Sequence, residues 1–291
     1  MNLQEYLKKN YSETSVRCYL NLINRFKLAL GSKADQATYT DILNYIGLLR
    51  EERLHPKSLR NNLFSIKIYF SYLIETGKRD DHPCKYLQLK DKINRGIQIE
   101  GLYSKETLEE LYNNYQAKNP NNQQRDKIIV SLLVYQALTV FEICSLKISD
   151  VYLEEGVIRI TKGSRVRKTR ALNLKSNQVL LFHNYLKHDR RKYQRNSNPI
   201  KHQDYFLPGE EGSRLWEGAT NRIINHNRDK SNKLIPIKIR QSVITNLLKE
   251  NNDIRIIQEF AGHRRTASTE AYKQTGLDEL KGAISKYHPL Q

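Results

Sequence analysis

Apolar residues recur at helical spacing through the first third of the chain. Val16, Tyr19, Leu20, Ile23 and Phe26 share one face, with Ser12 or Ser15 placed to cap the helix and Gly31 to close it. Thr38 or Thr40 opens a second run with Ile42, Tyr45, Ile46 and Leu49. Pro56 suits the first turn of a third, which carries Leu59, Leu63, Ile66, Phe70 and Leu73 and stops near Gly77. Arg17, Arg25, Arg60 and Lys67 fall among the polar positions. The pattern predicts a small helical bundle over residues 1–84 with a basic face.

Pro83 marks a boundary, and residues 85–100 are charged without a period, which predicts a linker. A second domain is expected over 101–291. Ser104 heads a helix with Leu108 and Leu111; residues 115–126 are polar and read as a loop; Ile128 to Ala137 is a buried helix. Thr139 followed by Glu142 is a capping-box pair. Val157 to Thr161 alternates as a strand, Lys162-Gly163-Ser164 turns, and Arg170 to Leu174 returns, with Arg165, Arg167 and Lys168 between. Further helices are expected around Val179 to Tyr185 and Trp216 to Asn225. Ile239, Val243 and Leu247 form one more stripe, and Asn251-Asn252-Asp253 breaks it. Ile254, Ile257 and Phe260 follow on a short helix ended by Gly262. Ser268 opens a short helical piece that holds Tyr272, and Leu277 to Ile284 has amphipathic spacing. The fold class expected is mainly α with a small antiparallel β-sheet.

Composition adds two constraints. The chain has 291 residues, enough for two domains, and no apolar run near the ~18 residues of a membrane span. Its start lacks the basic and apolar regions of a signal peptide. Cys18, Cys84 and Cys144 are scattered and odd in number, so they read as free buried thiols in a reducing cytoplasm. His82 and Cys84 have no second ligand pair for a metal. The net charge is +18, and both regions share it: 17 basic against 11 acidic residues in 1–100, and 32 against 20 in the rest. That balance favours a polyanionic partner, most simply nucleic acid.

Three residues near the C-terminal end can do chemistry together. Arg240 is a planar cation able to clamp a phosphate, His263 can move a proton near neutral pH, and Tyr272 carries a hydroxyl nucleophile. Arg240 precedes Ala261-Gly262-His263, with 23 positions between Arg and His and nine from His to Tyr. This layout resembles the signature of the tyrosine recombinases, the phage-integrase family. Leu138 to Asp150 resembles the family's first box, with Glu142, Leu146 and Asp150 in place, but the first catalytic Arg is replaced by Thr139. Ile237 stands three before Arg240, where the family commonly has His.

The resemblance implies a helical N-terminal core-binding domain and an α+β catalytic domain. It implies metal-free and cofactor-free strand cleavage through a 3′-phosphotyrosyl bond, with Tyr272 as nucleophile, Arg240 as phosphate clamp and Lys162 in the hairpin turn as general acid. His263 would be a hydrogen-bond donor or proton shuttle. With Thr139 in the arginine position, Arg165, Arg167 or Arg170 is expected to supply the missing cation. The implied partners are double-stranded DNA with a specific target site, further copies of the chain in a tetramer on DNA, and accessory DNA-bending proteins, with no membrane and a nucleoid-associated, cytoplasmic location. Two other functions fit the same residues: a catalytically impaired DNA-binding relative with a regulatory role, and a type IB topoisomerase-like enzyme.

Overall fold

The computed structural model describes residues 1–92, 97, 101–161, 168–193, 204–209 and 212–272. The chain divides into two compact units, Met1–Asn94 and Arg95–Gln291.

The first unit is all helical: α1 (Leu3–Asn10), α2 (Glu13–Leu30), α3 (Tyr39–Glu51) and α4 (Pro56–Glu75). The last three start and stop as the spacing predicts. Ser12 precedes α2 and Gly31 ends it; Thr38 caps α3 through a reciprocal bond with Asp41; Pro56 opens α4 behind His55, whose ring accepts from the Lys57 N–H. Helix α1 has only Leu3, Tyr6 and Leu7 at helical spacing, a run too short to stand out. It is held by a capping box between Asn2 and Glu5 and by burial of Tyr6 and Leu7. The core centres on Phe26, which meets Tyr45 and Phe70 edge-on. Past α4 the chain stays against this bundle. Leu87 and Leu89 pack on the core, and Arg50 makes a two-pronged pair with Asp91 at 3.2 and 2.9 Å. Residues 85–92, expected as linker, therefore belong with the bundle; a charged stretch without a period can still be pinned by ion pairs.

The second unit holds α5 (Lys105–Asn113), α6 (Gln123–Val134), α7 (Val140–Ser145), α8 (Ser176–Asn184), α9 (Glu217–Asn225), α10 (Pro236–Lys249), α11 (Ile254–Ala261) and α12 (Ala267–Glu270). Its sheet runs β1 (Val151–Tyr152), β2 (Val157–Ile160) and β3 (Arg170–Asn173) in that order, antiparallel, with Ile158 opposite Leu172. The mainly α class with a small antiparallel sheet is what the sequence led us to expect. Helix α6 begins five residues before the apolar run. Its first turn is polar but not exposed, because Arg125 and Asp126 form a buried pair at 2.8 Å. Tyr272 lies just past α12 rather than within it. Among the described residues no helix is long and apolar enough to cross a membrane. The three thiols are free, and Cys18 is exposed rather than buried; burial pushes Cys84 and Cys144 up to about 11, away from reactive thiolate.

Helix α6 is buried on most of its surface and is the post against which α5, α8 and α10 stand. One polar network crosses this core. Gln136 and Gln178 exchange side-chain amide bonds at 2.9 Å each, and Gln178 also donates to Ser131 at 3.1 Å. Gln136 donates to the Asn173 carbonyl at the end of β3, which ties the sheet to the post. Both amides are almost wholly enclosed, so each needs the other. Gln178→Leu should destabilise the protein by about 1–3 kcal/mol by stranding Gln136. The double variant Gln136→Leu/Gln178→Leu should recover part of that loss, read as urea midpoints.

Candidate active site

Helix α10 starts at Pro236, where a missing N–H removes no helical bond. Its inner face buries Ile239, Val243 and Ile244, as the stripe predicts, but it buries Arg240 as well, at 1% exposure. A guanidinium is tolerated there only if its N–H groups find acceptors. Nη1 donates to the Ala137 carbonyl and Nη2 to the Ala261 carbonyl. Ala137 sits in the turn from α6 to α7 with φ of 50°, uncommon for a residue with a side chain. Ala261 is the last residue of α11. Arg240 thus pins two chain reversals to its own helix.

Gly262 follows with φ of 65°, the left-handed conformation that ends helices, and the His263 N–H then bonds back to the Gln258 carbonyl at 3.0 Å. The Gln258 side chain donates to the His263 carbonyl at 3.1 Å, so the residue is held on both sides. On the ring, Nε2 lies 3.4 Å from Arg240 Nη2, and Nδ1 lies 2.9 Å from Thr269 Oγ1. A guanidinium can only donate. This geometry suits Nε2 as the acceptor nitrogen and an Nδ1 proton directed toward Thr269. The Tyr272 ring lies nearly parallel to the imidazole, centroids 5.9 Å apart, and is buried against Ile244, Ile257 and Ala261. Cation, imidazole and phenol meet in one place.

A second buried cation braces the same turn. Arg170 Nη1 donates to Glu142 Oε1 at 2.8 Å, with both side chains at or below 1% exposure, and its Nε donates to the Phe260 carbonyl at 2.8 Å. The other Glu142 oxygen accepts from the Thr139 N–H and hydroxyl, both at 2.8 Å, completing the expected capping box at the head of α7. Burial works against the Glu142 charge, but Arg170, Thr139 and Arg240 outweigh it and hold the carboxyl below its ordinary range. Gly262 is constrained twice over. Besides its positive φ, a Cβ there would lie 2.7 Å from Arg170 Nη1. The Lys168 N–H donates to the Gly262 carbonyl at 3.0 Å, bringing the returning hairpin onto this turn.

Arg240, His263 and Tyr272 come together, and Thr139 and Glu142 adjoin them through the Ala137 turn and Arg170. Asp150 accepts from the Lys147 N–H at 2.9 Å and from Thr161 at 3.1 Å, fixing the end of β2. Lys162, Arg165 and Arg167 lie outside the described residues. Arg170 does not face outward as a phosphate-reaching cation would; it is enclosed and committed to Glu142. Ile237 is half-exposed on the first turn of α10. The spacing missed Ala137, Gln258 and Thr269, which act through two backbone carbonyls, an amide and a hydroxyl. Their residue types carry no signal of that role.

The profile of the phage integrase family matches residues 102–276, and that of the phage integrase N-terminal SAM-like domain matches residues 2–78. A tyrosine recombinase of Agathobacter rectalis is 29% identical over 97% of this chain and 92% of its own. Tyrosine recombinase XerC of Oceanobacillus iheyensis is 26% identical over 98% of this chain and 94% of its own. In fold, the chain is similar to the Tn1549 transposon integrase solved in complex with transposon right end DNA, with a TM-score of 0.65, 16% identity, and 98% of this chain and 99% of that one covered.

The Glu142–Arg170 pair gives a pH signature. Because the folded carboxyl titrates below the unfolded one, its contribution is complete above the ordinary glutamate range of about 4.3 and is lost as pH falls through the folded value. Thermal unfolding of Glu142→Gln should accordingly lose less stability between neutral and acid pH than wild type. Gly262→Ala should destabilise by about 1–3 kcal/mol. Its effect should shrink in a Glu142→Ala/Arg170→Ala background, where the colliding guanidinium and its partner charge are both gone.

Proposed function

Since the chain belongs to the phage integrase family, we propose that it is a site-specific tyrosine recombinase that cleaves and rejoins DNA through a 3′-phosphotyrosyl bond. The observation that carries this reading is the meeting of Arg240, His263 and Tyr272 in one buried cluster. The phenol of Tyr272 attacks the scissile phosphorus and loses its proton, and the bond to the 5′-oxygen breaks. The covalent phosphodiester conserves the bond energy, so a 5′-hydroxyl of another strand can reverse the step. His263 Nε2, an acceptor in the DNA-free geometry, is suited to take a proton in this exchange. Arg240, held by two neutral carbonyls, acts on the phosphate oxygens through the field of its charge beside His263. Lys162 is the proposed acid for the leaving oxygen.

The charge usually supplied by the first arginine must come from elsewhere, because the Thr139 hydroxyl is bound to Glu142. Arg170 is occupied in its ion pair. Arg264 and Arg265, exposed beside His263, are candidates, but we propose Arg165 or Arg167 on the hairpin as the substitute. Loss of one transition-state donor generally costs about 10²–10³ in rate. The enzyme should therefore be slow unless one of them reaches the phosphate. The helical first unit is proposed as the core-binding domain and the second as the catalytic domain. The DNA-bound form is proposed to be a tetramer assisted by DNA-bending proteins and acting in the nucleoid of the cytoplasm.

A nicked suicide duplex carrying DNA from beside the gene should yield a covalent protein–DNA adduct on a denaturing gel. Tyr272→Phe should abolish it, and Arg165→Ala or Arg167→Ala should slow its formation by about 10²-fold. Sequence-specific binding without any adduct would instead establish an inert DNA-binding relative. Relaxation of supercoiled plasmid without strand exchange would point to the topoisomerase-like reaction.

A further inference from the structure

Trp216 is the single tryptophan of the chain and is 66% exposed, in the position just before α9. An indole left in water at a fixed place calls for explanation, because tryptophan is ordinarily well covered. Its place is fixed. It lies flat over the first turn of α9, and a Cβ on Gly218 would come within 2.3 Å of the indole ring. Arg222, further along α9, stacks on the ring at 5.0 Å from its centroid. The glycine makes room for the indole and the guanidinium holds it, while most of its surface stays open.

The neighbouring residues repeat the motif. Phe141, 40% exposed, is the second residue of α7, and Arg214 stacks on it at 5.0 Å. Arg214 is anchored by the Cys144 carbonyl at 3.3 Å and the Ser145 hydroxyl at 3.1 Å, and it also meets Glu217 at 3.3 Å. The patch thus holds two exposed aromatic rings, each under an arginine, with one carboxylate against two guanidinium groups. It begins two residues from Thr139, whose turn carries the carbonyl bound by Arg240.

We infer that Trp216 is a base-contacting residue, its indole entering a groove of the DNA duplex while Arg214 and Arg222 engage the flanking phosphates. The inference rests on the DNA-cleaving reading above and names a groove contact for it. A stacked guanidinium keeps its N–H edge outward for phosphate oxygens. A rigid aromatic already held in place loses little side-chain freedom on binding, and apolar contact to base edges such as the thymine methyl is available in a duplex groove. The excess of basic residues over the whole chain favours a polyanion such as DNA over a neutral or basic protein surface as the occupant.

With only one tryptophan, the chain reports on this directly. The full-length protein is titrated with a short mixed-sequence duplex, and binding is followed by anisotropy of a dye on the DNA while tryptophan emission is recorded in parallel. Emission should be quenched in step with anisotropy. Trp216→Ala should bind about tenfold more weakly with an unchanged salt slope, because a ring and not a phosphate contact is lost; Trp216→Phe should recover part of the affinity. Full binding with unchanged emission and no loss in Trp216→Ala would overturn the inference while leaving DNA binding intact. Emission that changes with protein concentration alone, and not with DNA, would assign the patch to contact between copies and overturn it equally. Absence of any anisotropy change would sink the DNA-binding reading itself and the inference with it.

Discussion

A guanidinium taken out of water loses several kcal/mol of hydration unless backbone or side-chain acceptors replace it. Arg240 is enclosed to that degree, and its acceptors are carbonyls from two separate chain reversals. Those carbonyls can serve only if the α6–α7 turn and the end of α11 converge on α10. Satisfying one buried charge therefore fixes where Thr139 and His263 lie, since each is two residues beyond a bound carbonyl. Arg170 performs a similar service from the sheet, joining Glu142 of α7 to the Phe260 carbonyl of α11. Two arginines inside the fold act as struts, and the groups suited to chemistry are set on the turns they hold.

This arrangement also decides what the imidazole can do. With a donor-only guanidinium on one side and a hydroxyl on the other, the surroundings of His263 favour one tautomer, with Nε2 toward the cation and the Tyr272 ring stacked nearby. A histidine on a free loop would sample both tautomers and several rotamers. Here the choice is made by backbone geometry, through the left-handed Gly262 and the two bonds from Gln258.

Most of the scaffold was legible because caps and apolar spacing agree. Thr38, Ser104, Thr139, Asp253 and Gly262 all act at the helix ends where their chemistry suggests. The misses share a cause. Helix α1 and residues 85–92 bury only two or three apolar side chains each, beside a capping box and the Arg50–Asp91 pair, and the first turn of α6 buries the Arg125–Asp126 pair. Short apolar runs and inward-facing polar residues leave little periodic signature. At the site, residue types and intervals pointed to Arg240, His263 and Tyr272, because each must carry its own functional group. Ala137 and Phe260 contribute only carbonyl oxygens, which every residue has. The expectation that Arg170 would be an open cation failed because a sequence does not say which side of a strand meets a carboxylate.

The hydroxyl and N–H of Thr139 share one oxygen of Glu142. Threonine is a good residue at a helix start, and exchanging it for one that cannot cap generally costs about 1 kcal/mol. Position 139 therefore already has a mechanical duty: a side chain placed there for its charge alone would leave α7 without its cap and Glu142 without two of its donors.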